Sequence, residues 1–146
     1  MNAVLLAFLF PLCLGALLSD VAYHQTGHVQ WHNFSSWLLT GALVFSGFAL
    51  LWALVAMFRW RAESGRQRLF HFVVLLAAWA VGLVNALVHA KDAWAIMPEA
   101  LVLSVLGTLL ALVATWIGFA GFDVEGRTSR AERSHAAGQA YAGERA

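Results

Sequence analysis

Charge is what this sequence has least of. Of 146 residues, 12% are charged and 61% hydrophobic, whereas soluble domains carry about 25% charged residues. A soluble domain of this length has too little interior to hide so much apolar surface, which includes 7 Trp and 10 Phe. A soluble enzyme and a disordered chain are thereby excluded. The formal net charge of +1 leaves no basic footprint for nucleic acid. Cysteine is nearly absent: Cys13 alone excludes an internal disulfide, a CxxC pair and a thiolate-held iron–sulfur cluster. The 2 prolines, Pro11 and Pro98, leave the chain free to build long helices.

Long uncharged apolar runs take the place of charge. A membrane helix needs about 20 such residues. Four runs qualify, over 3–19, 36–58, 69–90 and 96–122. They are continuous, not alternating, and lipid admits only helices or closed barrels, so the expected fold is an all-α, integral membrane, antiparallel four-helix bundle. The first run also has the length of a signal-peptide core, with a weak cleavage site at Leu14-Gly15-Ala16. No Lys or Arg precedes it, so it is expected to remain as a helix. One domain is expected over 1–122, followed by a mobile cytoplasmic tail over 123–146, rich in Gly, Ala, Arg and Glu.

Orientation follows from the basic residues. Arg59, Arg61, Arg66 and Arg68 separate the second and third runs, and Arg127, Arg130, Arg133 and Arg145 lie in the tail. The segment 20–35 has no Lys or Arg, and 91–95 has only Lys91. The positive-inside rule then places both termini in the cytoplasm, with 20–35 and 91–95 as outer loops. Trp31, Trp37 and Trp94 would form an outer aromatic belt and Trp60 an inner one.

Close packing between helices in lipid relies on small residues. Ala42, Ser46, Ala49, Ala53 and Ala56 share one face of the second helix, and Gly107, Ala111, Ala114 and Gly118 one face of the fourth. On the third, His71, Ala78, Gly82, Asn85 and His89 share a face that holds its strongly polar side chains, and such a face is expected to point into the bundle. At 1.5 Å per residue, His71 and His89 stand about 27 Å apart, so they serve different depths.

These polar residues suggest several chemistries. His24, His28 and His32 are spaced i, i+4, i+8 and are candidate zinc ligands, with His89 as a fourth, although Thr26-Gly27 reads as a turn that would break the stripe. A b-type haem could take His89 and one of the three outer histidines. His71, Asn85 and His89 are the candidate cofactor contacts, by axial ligation or a hydrogen bond to a quinone carbonyl. The plain alternatives are interfacial polar residues and hydrogen bonds between helices. The helix interiors are expected to lack Asp and Glu, with Asp20 and Glu99 at helix ends, which argues against a proton-coupled carrier. Ser46 and Ser104 are expected to have no His and acid at matching depth, so no hydrolase constellation is foreseen.

The order of several short motifs carries a resemblance. Phe10-Pro11 precedes Leu18-Ser19-Asp20-Val21-Ala22-Tyr23, then Thr26-Gly27, Trp31 and Ser36-Trp37-Leu38-Leu39 with Gly41. The third helix opens with His71 and carries Asn85; the fourth opens with Met97-Pro98 and Leu101-Val102-Leu103-Ser104 and ends with Trp116 near Gly118. In these features the chain resembles the bacterial four-helix membrane proteins of domain-of-unknown-function family 2231, over about Leu9 to Gly121. The resemblance implies a topology and a bacterial inner-membrane location. Some relatives are fused to Rieske domains, which implies a neighbourhood of membrane electron transfer. The chain departs from relatives at both ends, lacking their His-Pro segment before the first helix and their histidine after the last; only His71 carries over by position. The expected function is an accessory subunit in membrane electron transfer with one haem b or a quinone contact, not a stand-alone enzyme. The alternative is a structural or assembly protein that packs with itself or a larger membrane complex.

Overall fold

The computed structural model of the protein describes residues 2–59, 65–91 and 97–144. Four helices follow one another: α1 (Asn2–Thr26), α2 (Val29–Arg59), α3 (Gly65–His89) and α4 (Glu99–Glu144). Each contains a segment long and apolar enough to cross a membrane, at Val4–Thr26, Val29–Met57, Leu69–His89 and Glu99–Ala120. The helices form a square in which α1 packs on α2 and α4, and α3 on the same two. The all-α membrane bundle read from the sequence is the observed architecture.

The core runs along the small-residue faces. Ala42, Ser46 and Ala49 of α2 and Ala111 and Ala114 of α4 are buried, beside Leu6, Leu9 and Leu75. Short side chains let the backbones approach, and polar side chains then reach across. Thr108 donates to the Cys13 carbonyl at 3.1 Å, and Thr115 to the Leu6 carbonyl at 3.4 Å, tying α4 to α1. Bulky side chains such as Phe48, Trp52, Leu87, Leu109 and Trp116 point outward and are exposed. An outward apolar surface of this kind suits lipid, not water.

Helix boundaries differ from the apolar runs in an informative way. The expected outer loop, 20–35, is helical apart from a two-residue break. α1 continues through Asp20 to Thr26, and α2 begins at Val29. Gly27 makes the break: its φ of +67° is left-handed, which glycine adopts without steric cost. Its N–H reaches the Tyr23 carbonyl at 2.8 Å, the single-bond form of a glycine helix stop. Run-based boundaries stop at the first charge, whereas the backbone ladder continues wherever the side chain finds partners. α4 likewise extends as helix to Glu144, past the expected end at 122. Trp31 and Trp37 are exposed on α2, while Trp60, Arg61 and Trp94 lie outside the described residues.

Among the described glycines, the closest approach of a neighbouring helix is at Gly118. A Cβ there would stand 2.5 Å from Leu6 Cδ1 and 3.1 Å from His71 Cε1. At Gly107 the nearest atom would be Val81 Cγ1, at an ordinary 3.8 Å. Gly118→Ala should therefore destabilise the bundle by about 1–3 kcal/mol, the usual cost of overpacking. Gly107→Ala should be neutral or mildly stabilising. Unfolding of both variants in detergent by graded SDS checks the contrast, and equal behaviour would contradict the packing described.

Candidate functional site

The four helices converge on a buried polar cluster one to two turns below the α1–α2 break. Asp20 of α1 is wholly buried, and Ser35 of α2, Asn85 and His89 of α3 and Ser104 of α4 are buried with it. Asp20 stands six residues before the end of α1, which is about 9 Å along the axis. Ser35 follows the start of α2 by the same count, His89 is the last residue of α3, and Ser104 lies in the second turn of α4. The antiparallel square brings these positions to one level.

The hydrogen bonds form a directed ring. Asn85 Nδ2 donates to Ser104 Oγ at 2.8 Å, and Ser104 Oγ donates to Asp20 Oδ2. Asp20 Oδ1 lies 2.9 Å from His89 Nε2, and His89 Nδ1 lies 2.9 Å from the Asn85 carbonyl, closing the ring where it began. Ser35 joins from α2: its hydroxyl donates to the Ala16 carbonyl at 3.2 Å, and its oxygen is 3.3 Å from His89 Nε2. All four helices thus contribute.

The partners restrict where protons can sit. A carbonyl only accepts, so Nδ1 of His89 carries hydrogen. The 2.9 Å contact between Nε2 and Oδ1 then needs one further proton, on either atom. Asp20 is a carboxylate beside an imidazolium, or a carboxylic acid donating to a neutral ring. Both patterns are electrically neutral as a pair. Removing that proton or adding another would leave a net charge in a low-dielectric interior, which is costly. The pair therefore shares one proton across this contact.

The ring overturns two expectations. Asp20 lies inside α1 and is bonded to His89 and Ser104, so it is not at a helix end. Ser104 does have a His and an acid at its depth. The order is still not that of a nucleophilic triad, which requires the serine on one ring nitrogen and the acid on the other. Here Ser104 is bonded to the acid, and His89 Nδ1 is bonded to a backbone carbonyl.

The remaining candidates are spread out. His24 and His28 are exposed on either side of Gly27, while His32 is half-buried. The left-handed break divides the stripe as the Thr26-Gly27 turn implied. Among the described residues no three His, Cys, Asp or Glu side chains form a metal-holding group. His32 instead lies flat against His89, with ring centroids 5.3 Å apart and planes at 6°, and tilts against Tyr23 at 5.7 Å. Stacked faces do not present nitrogens to an iron between them, and both His89 nitrogens are already engaged. The outer histidines as arranged do not fit a bis-histidine haem. His71 has buried nitrogens without hydrogen-bond partners, but the α4 backbone at Gly118 packs against its ring, leaving no room there for a macrocycle.

Sequence reasoning singled out His89 and Asn85 and missed Asp20, Ser35 and Ser104 as their partners. The available signal was an acid and two serines, each within about two turns of the same bundle end once the helices are drawn antiparallel.

Asp20→Ala would strand two donors in the interior. It should cost about 3–5 kcal/mol, as breaking a buried pair does, and more than Asp20→Asn, which keeps an acceptor. A cycle with His89→Ala should give a coupling of about 1–3 kcal/mol. Unfolding of the single and double variants in detergent measures it, and additivity would show that the pair does not act as a unit.

Comparison with known proteins gives a family model described as a predicted membrane protein (DUF2231), which matches residues 3–124. No curated protein and no solved structure matches the chain.

Proposed function

The chain belongs to the DUF2231 family of membrane proteins, and we propose that within the membrane it is a small accessory subunit that holds and passes a proton at the Asp20–His89 pair. The observation that carries this reading is the pair itself. It is a carboxyl and an imidazole 2.9 Å apart, buried among apolar helices. Intramembrane ionisable groups are costly and mark proton relays or ion paths. Packing alone does not require such a pair, since apolar side chains of similar volume often replace one without loss of stability. The neighbouring process it suits is one that takes up or releases protons at a membrane face. Quinone reduction or oxidation in an adjoining redox complex is such a process, and it needs no haem in this chain.

The proposed setting is a bacterial inner membrane with both termini in the cytoplasm. Its support is the concentration of Arg59, Arg61, Arg66 and Arg68 on one side and Lys91 alone on the other. The pair then lies near the outer face.

A structural reading has its own support. Ser35, Asn85 and Ser104 link all four helices through Asp20 and His89, so the ring would also fix helix register in an assembly protein. Infrared difference spectra of vesicle-reconstituted protein, recorded across a pH step, separate the two. Proton handling gives a protonated-carboxyl stretch that changes with pH and disappears in Asp20→Asn. A spectrum without that change, with only the stability loss described above, favours the structural reading.

A further inference from the structure

We propose that His32 is the third member of the proton site: it takes a proton from water at the α1–α2 end, and its charge drives the shared proton from His89 to Asp20. The inference rests on the proton-handling reading of the pair and adds the route by which water reaches it.

Three observations carry it. First, the His89 side chain is almost fully enclosed, and the half-buried ring of His32 lies flat on it at 5.3 Å. His32 is therefore the titratable ring between the pair and the exposed turn formed by Thr26, Gly27 and His28. Second, His32 Nδ1 is buried and has no hydrogen-bond partner among the described residues. The ring lies flat against His89, tilts against Tyr23 and hydrogen-bonds the His89 backbone, while its Nδ1 has neither donor nor acceptor to fix its state. Third, two positive rings stacked at this distance repel, and the interior screens them poorly. Asp20 from α1 and His89 from α3 are the titratable groups of the pair that face His32. Tyr23 is the other titratable side chain against it. Glu99, on α4, is exposed and lies 3.9 Å from Lys91.

The proton count closes. Hydronium gives its proton to His32 and becomes water. At the pair, the N–H bond at His89 Nε2 breaks and an O–H bond forms at Asp20 Oδ1. His89 becomes neutral, Asp20 becomes a carboxylic acid, and the single added charge resides on His32. Loss of that proton from His32 reverses both steps. Ser104 remains a donor to Oδ2 in either state.

The test uses the full chain in vesicles, with nitrogen-15 labelled histidine for magnetic resonance and infrared detection of the carboxyl group. The expected result is that the His32 signal and the Asp20 protonated-carboxyl stretch change over the same pH interval with coincident midpoints. In His32→Phe, which keeps a flat ring against His89 and Tyr23, the carboxyl change over that interval should fall at least about tenfold. A carboxyl change that persists in His32→Phe would overturn the proposal and leave the pair as a proton site. Midpoints that do not coincide in the unmodified protein would overturn it equally, whether or not the variant folds. A carboxyl band that survives Asp20→Asn would instead remove the proton-handling reading itself.

Discussion

The contact between Asp20 and His89 is the constraint on which the rest of the bundle depends. An aspartate in the interior of a membrane helix is tolerable only if its charge is compensated and its lone pairs are used. His89 supplies the first, and Ser104 with His89 the second. These partners come from other helices, so their positions fix how α3 and α4 stand against α1. Ser35, bonded to the Ala16 carbonyl and close to His89, extends the same constraint to α2. One buried acid thus sets the register of four helices at one end of the molecule.

The other end is organised differently. Ala49, Ala111, Ala114 and Leu6 are buried without such a network, and Gly118 lets α4 approach Leu6 and His71. Close packing of small side chains dominates there, with Thr115 donating to the Leu6 carbonyl. In the function proposed above, proton chemistry lies at the polar end and the packed end anchors the helices. The exposed bulky side chains along the outside leave both ends lipid-compatible.

The imidazole stack gives the polar end a graded exposure. His28 is exposed, His32 half-buried and His89 buried. Its geometry also distinguishes this cluster from a haem site, since the rings meet by their faces and both His89 nitrogens are engaged by protein partners.

The sequence alone determined the class of object. Charge scarcity and four apolar runs required membrane helices, because no other arrangement satisfies their backbone groups in lipid. The small-residue faces named the sides that meet, and the spacing of Asn85 and His89 named the polar face of α3. Gly27 was legible as a break because of its turn chemistry. What only the tertiary structure decided is who pairs with whom. Asp20 looked like the end of a helix because apolar runs stop at a charge. Ser104 looked partnerless because its acid is 84 positions away in the chain. Helix periodicity records which residues share a face but carries no information about the depth at which faces from different helices align. That alignment follows from side-by-side packing, and it turned an apparent helix-end residue into the centre of the site.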